Sequence, residues 1–190
     1  MTFAYYLSLG YVATTLLIGG MGHLLGFAHF RSLVRSHGIV PTRLATPASI
    51  LVTVLETVAG GAFVLVLLNS EFAPVALPLF ALSTVAGAAF VLYIRLLLRR
   101  PAGITSCGCS PFAGPLTPAS IVPASALLLM SVLGLVVTGL GFGRSLDAGY
   151  ELLGFAAALP LAWGMTLTTA VFMLPAFSAG LRQTEGSNNV

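Results

Sequence analysis

Residues Leu44–Leu68 read LATPASILVTVLETVAGGAFVLVLL, a run with one charged side chain, Glu56, at its middle. A helix needs roughly 20 apolar residues to cross the hydrocarbon core of a bilayer, and this run is long enough. The rest of the chain repeats the pattern. Of its 190 residues 57% are hydrophobic and 7% charged, where a soluble domain carries about a quarter charged residues. Such a composition cannot cover a water-soluble surface, so the bilayer is the solvent that this chain is built for.

Five runs reach spanning length: Phe3–Phe27, Leu44–Leu68, Phe72–Leu98, Ile121–Phe142 and Leu152 to about Ala176. None alternates as a membrane-barrel strand does, and backbone groups in lipid must be satisfied within their own segment, so all five are expected to be helices. The expected fold is an all-α integral membrane protein, a bundle of about five transmembrane helices. Residues 1–181 are expected to form one transmembrane domain and residues 182–190 a short polar tail. The opening MTFAYYLSLG has no positive n-region, so the first run is expected to stay as a span, with Tyr5, Tyr6 and Tyr11 in an interfacial belt.

All eight basic residues are arginines. Arg31, Arg35, Arg43, Arg95, Arg99, Arg100 and Arg182 fall on one side of a five-span chain and Arg144 on the other, which predicts a multi-pass protein of the cell (cytoplasmic) membrane, N-terminus outside and C-terminus inside. Small groups of arginine at the ends of apolar runs suit contact with membrane lipid. Nucleic acid would need a dense basic face with polar and aromatic companions, and is excluded as a partner. Close helix contacts are expected at Gly22 and Gly26, and at Ala59, Gly60 and Gly61, where small side chains let backbones approach.

The only cysteines are Cys107 and Cys109 in RRPAGITSCGCSPFAGPLTP, just beyond the third run. One glycine between them brings the thiols within reach, so that one can attack a partner's disulfide and the other resolve the mixed disulfide. A disulfide across so small a ring is strained and comparatively oxidising. Arg99 and Arg100 favour thiolate if the segment folds back toward them. The prolines and glycines around the pair exclude a regular helix and suggest a compact, re-entrant loop. Two soft thiolates could instead hold copper(I), while no nearby histidine completes a zinc site, and the pair could also be inert; no metal site is assigned.

Glu56 is the second unusual residue, because an ionised carboxylate in mid-span is costly and must be protonated, paired or hydrated. At 1.5 Å per residue it lies about 18 Å from Leu44, level with Thr14, Thr15, Ser83 and Thr84, which are its expected hydrogen-bond partners. His23, about 6 Å from the end of its run, is expected to be interfacial instead. Glu56 either ties spans together or marks a proton path or a contact to a quinone or other small redox partner; no bound cofactor is otherwise called for. There is no phosphate loop, HExxH, serine elbow, dinucleotide fingerprint or CxxCH haem site.

The arginine-rich turn HFRSLVRSHGIVP, then LETVAGG in the second span, then CGC after the third resembles the MauE family of methylamine utilisation membrane proteins, within a wider DoxX-like group. The resemblance covers roughly Leu9 to Leu140 and is most specific at Glu56, Gly60 and Cys107-Gly108-Cys109. It implies a DoxX-like four-helix core, to which a C-terminal span is added here. It also implies a thiol–disulfide role with a thioredoxin-like partner in maturing disulfide-containing proteins, in methylamine metabolism or a related process. That role lands on Cys107 and Cys109, and whether the chain is itself a thiol–disulfide oxidoreductase is left open. In the family CGC is commonly followed by Phe-Gly; here SPFAG follows, so the family's loop geometry is not carried over. A non-catalytic scaffold or chaperone is the competing reading. Arginine placement puts the dithiol on the cytoplasmic side, whereas exported disulfide proteins mature outside.

Overall fold

The computed structural model describes residues 2–100, 118–141 and 163–164. Its long elements are α1 (Thr2–Leu25), α2 (Phe27–His37), α3 (Thr42–Leu68), α4 (Ala76–Leu98) and α5 (Ile121–Gly139), with 3-10 turns at Ser70–Val75 and Pro118–Ser120. Among the described residues four segments are long and apolar enough to cross a membrane: Phe3–Leu25, Thr42–Leu68, Glu71–Leu98 and Pro118–Gly139. The chain is an all-α membrane bundle, as its apolar runs require. The expected fifth span lies outside the described residues except for helical Trp163 and Gly164, the latter against Gly10 of α1.

α1 packs along α3 and also meets α5, α4 packs along α5, and α3 and α4 touch more sparingly. Direction follows from the contact points. Gly60 of α3 lies on Leu17 of α1 and Gly20 of α1 on Thr57 of α3, so the two helices are antiparallel. Gly87 of α4 lies on Leu128 of α5 and Phe80 of α4 on Gly134 of α5, so this pair is antiparallel too. The end of α4 and the start of α5 therefore lie at the same end of the bundle.

Lipid is as apolar as leucine, so helices associate here through close packing and polar contacts. α3 shows the result. Leu51, Val54, Val58 and Leu65 are exposed on its outer stripe, while Ser49, Thr53, Glu56 and Gly60 are buried on the inner one. Toward the other end the interior is aromatic and aliphatic: Phe63 and Phe80 sit 4.9 Å apart by ring centroid, with Tyr5 edge-on to Phe80 at 6.4 Å. Tyr5 and Tyr11 are each only 2% exposed, so these two tyrosines belong to the core and not to an interfacial belt. Rings from α1, α3 and α4 meet here in the core.

Two expectations for the glycines are corrected. Gly26 meets nothing but the carbonyl of Gly22 on its own strand of helix, and a Cβ at Gly61 would meet nothing within 4 Å. The close approach runs through Gly20 and Gly60, where a Cβ would stand 2.7 Å from the Thr57 amide nitrogen and 2.9 Å from that of Leu17. The connection between the first two spans is mostly helix. Phe27, Phe30, Val34 and His37 recur at helical spacing on one face of α2, leaving Arg31 and Arg35 on the exposed face. The helix ends on Gly38, whose φ of 61° is left-handed and suits glycine.

Because the obstacle at Gly20 is backbone, Gly20→Ala is expected to force α1 and α3 apart and cost about 1–3 kcal/mol, the range for overpacking. Gly61→Ala, facing open space, is expected to be neutral or mildly stabilising. Unfolding of the purified protein in detergent, followed by loss of helical circular dichroism, measures both; equal behaviour of the two variants would refute the assignment of the contact.

Candidate functional site

The buried polar stripe of α3 begins with hydroxyls that satisfy themselves on their own helix. Ser49 donates to the Ala45 carbonyl at 2.7 Å, Thr53 to Ser49 at 2.9 Å and Thr57 to Thr53 at 2.8 Å. This back-bonding to the carbonyl one turn earlier is the usual resort of Ser and Thr in mid-helix. None of these hydroxyls is left to serve Glu56, whose side chain leaves the same stripe. Glu56 is 5% exposed and its Oε2 accepts no hydrogen bond.

What faces that oxygen is His23, also 5% exposed, with Nε2 at 3.5 Å. The separation exceeds a formed N–H···O bond, which spans 2.7–3.2 Å, yet leaves no room for a water between the atoms. Gly19 makes the space, since a Cβ there would stand 3.2 Å from Oε2. The far side of the imidazole is covered by Phe30 of α2, stacked at 3.8 Å with 18° between planes. In a straight helix residues seven apart are separated by about 10 Å along the axis. The break at Gly26 lets α2 turn back so that Phe30 reaches His23, while the bonds from Gly26 N to Gly22 O (3.0 Å) and from Phe30 N to Gly26 O (2.9 Å) keep the ladder nearly continuous.

The partners expected for Glu56 are therefore corrected. Thr14 donates to Gly10 at 2.8 Å, Thr84 to Phe80 at 2.8 Å, Thr15 is engaged with Tyr11, and the Ser83 hydroxyl is buried without a partner. Depth counted from Phe27 and Leu44 misled because it placed both residues at the membrane boundary. On the register set by Gly20 and Gly60, the first turns of α3 run past the end of α1 and pack on α2, which brings His23 level with Glu56. Chemically, an imidazole and a carboxyl at this distance can pass one proton between them without changing the net charge of the pair, which matters where a net charge is costly.

A second cluster closes one end of the bundle. His37 Nδ1 and the Tyr93 hydroxyl are 2.6 Å apart, and the Arg100 guanidinium donates to the carbonyls of His37 (2.9 Å, Nη1) and Gly38 (3.2 Å, Nη2). These are carbonyls that the end of α2 leaves unpaired, so the arginine acts as its cap. The contact ties α2 to the end of α4. Cys107 and Cys109 lie outside the described residues, but both flanks of their segment are placed: Arg100 is held on α2, and Pro118 opens the turn into α5 at the same end. Among the described residues no three His, Cys, Asp or Glu side chains converge as a metal site.

The sequence singles out Glu56 but assigns His23 to the interface instead of to the acid, and it does not reveal Phe30 or the His37–Tyr93–Arg100 cluster. The signal for α2 was present in FAHFRSLVRSH, whose apolar residues recur every three or four positions. A family model described as methylamine utilisation protein MauE matches residues 1–141. No curated protein and no solved structure matches the chain.

Glu56→Leu and His23→Leu are each expected to destabilise the bundle, because each leaves the other polar group buried and alone. The double variant should lose less than the sum of the two, with a coupling on the order of 1 kcal/mol. Reversible unfolding in SDS–detergent mixtures gives the four free energies, and strictly additive losses would show that the contact carries no energy.

Proposed function

The chain belongs to the MauE family, and from that premise we propose that it is a thiol–disulfide redox component of the cell membrane that works with a thioredoxin-like partner. Methylamine utilisation, or a related maturation of disulfide-containing proteins, is the process it serves in this reading. One cysteine of the Cys107/Cys109 pair, as thiolate, attacks the partner's disulfide; that S–S bond breaks, a mixed disulfide forms, and one partner sulfur leaves as thiolate. The second cysteine then attacks the mixed disulfide from within the chain. The partner ends as a dithiol, having gained two electrons and two protons, and Cys107–Cys109 ends as the disulfide. The reverse sequence oxidises the partner by the same balance.

The observation that carries the reading is the placement of the segment's two flanks. Arg100 and Pro118 stand at the same end of the bundle, the end that bears Arg31, Arg35, Arg43, Arg95 and Arg99, and Arg100 is fastened to α2. In this reading the dithiol sequence between the two flanks serves that face, where positive charge favours thiolate. The positive-inside rule makes that face cytoplasmic and the N-terminus external. Glu56, with its unpartnered oxygen and His23 opposite, is in this reading the intramembrane contact for a small redox partner or its proton.

Cys107→Ser and Cys109→Ser separate the two roles. Loss of the attacking cysteine is expected to abolish the mixed disulfide with a thioredoxin-like partner, and loss of the resolving one to prolong it, as seen on non-reducing gels. A double variant that retains full activity in complementation would establish the scaffold reading in place of this one. Labelling of the cysteines in intact cells by a membrane-impermeant thiol reagent should fail if the face is cytoplasmic.

A further inference from the structure

The basic end of the bundle has more charge than its internal contacts use. Arg100 is spent on the carbonyls of His37 and Gly38. Arg31, Arg35, Arg43, Arg95 and Arg99 are exposed, and among the described residues none of them has a carboxylate partner; the Glu56 carboxyl faces His23 instead. At the opposite end Glu71 is the charged residue among those described. Among the described residues the charge at the membrane boundaries is one-sided and unneutralised.

Arg43 and Arg95 stand at the lipid-facing rim. Arg43 precedes Leu44, which is 55% exposed, and Arg95 lies between Leu92 and Leu96, exposed by 59% and 40%. Leu25, at the end of α1 just before α2 turns off, is 84% exposed. Large apolar side chains facing outward mark where acyl chains lie, and long arginine stems beside them carry the guanidinium up to headgroup depth. α2 adds a fixed pair. Arg31 and Arg35 are one turn apart on its exposed face, and the helix beneath them is held near one end by Phe30 on His23 and at the other by His37 on Tyr93. Arg31 and Arg35 are thus displayed from one face of a fastened helix, and each guanidinium is a planar fork that binds phosphate oxygens bidentately.

We propose that α2 and the adjoining rim, with Arg31, Arg35 and Arg43 as the ligating side chains, form a binding site for the phosphodiester headgroup of an anionic phospholipid. A zwitterionic headgroup carries its own cation beside the phosphate and gives up most of the attraction, so net negative lipid is the preferred occupant. An acidic protein face would meet the same charge, but the exposed Leu25 and Leu44, which flank the stretch from α2 to Arg43 in the chain, put this rim against lipid.

The full chain, purified in uncharged detergent, is titrated with phosphatidylglycerol or phosphatidylcholine at equal mole fraction, with bound lipid counted by native mass spectrometry and stability followed by thermal unfolding. Phosphatidylglycerol is expected to be retained and to raise the midpoint, with phosphatidylcholine doing neither. The preference should fall roughly fivefold for each arginine changed in the series R31Q, R35Q, R43Q, and should weaken as salt is added. Equal effects of the two lipids, or a triple variant that folds with its preference intact, would overturn the proposal. So would inorganic phosphate reproducing the whole shift, which would mean a small-anion site, or a triple variant that loses capture of a thioredoxin-like partner while keeping its lipid preference, which would mean a protein-docking face. R31K/R35K/R43K guards against misfolding: it should retain part of the preference, as point charges without the bidentate fork, and complete loss despite native helical content would also count against the site.

Discussion

The backbone approach of α1 to α3 is the constraint on which the remaining contacts hang. In water, burying leucine drives helices together, but in hydrocarbon a leucine gains little by moving from lipid to protein. What draws these helices into contact is the absence of side chains at Gly20 and Gly60, where a Cβ would stand 2.7 and 2.9 Å from the opposing backbone nitrogens. Once the backbones touch, Gly19 leaves a hollow on the same seam, and the Glu56 carboxyl enters it. The acid is a consequence of the approach as much as a reason for it, since a wider seam would leave the carboxyl facing acyl chains. His23, one turn on from Gly19, then stands opposite with no further adjustment.

From His23 the connection continues outward through α2. Its ring is covered by Phe30; α2 ends on carbonyls capped by Arg100; and Arg100 begins the segment that contains both cysteines. Each link is local, yet together they place an intramembrane acid, an amphipathic helix and the root of the dithiol segment on one connected frame.

The sequence made the four described spans legible to within about three residues at each end, because length and apolarity are what a bilayer first requires of a helix. It made Glu56 legible for the same reason: one acid among aliphatic residues stands out. It did not yield the partner of Glu56. That depends on how far two helices slide past each other, and the slide is set by Gly20 and Gly60 and by the bend at Gly26, none of which a count of residues from the membrane boundary contains. Tyr5 and Tyr11 misled in a related way. Tyrosine near a helix end favours the interface as a statistical tendency, but packing against neighbouring helices buried both rings in the interior. Cys107 and Cys109 were legible as chemistry, and their flanks are placed by the fold.

α1 differs from the other spans in a way that bears on how the protein is made. It is the least apolar of the four, and the largest share of its surface is covered by its neighbours. Ser8, Thr14, Thr15, His23 and the glycines of its seam all face other helices once the bundle is complete. Before α3 and α5 have been synthesised, those groups have only lipid or the insertion machinery to face. The helix that organises the interior is thus the one least suited to being left alone in the bilayer, and biogenesis must shelter it until the later spans arrive.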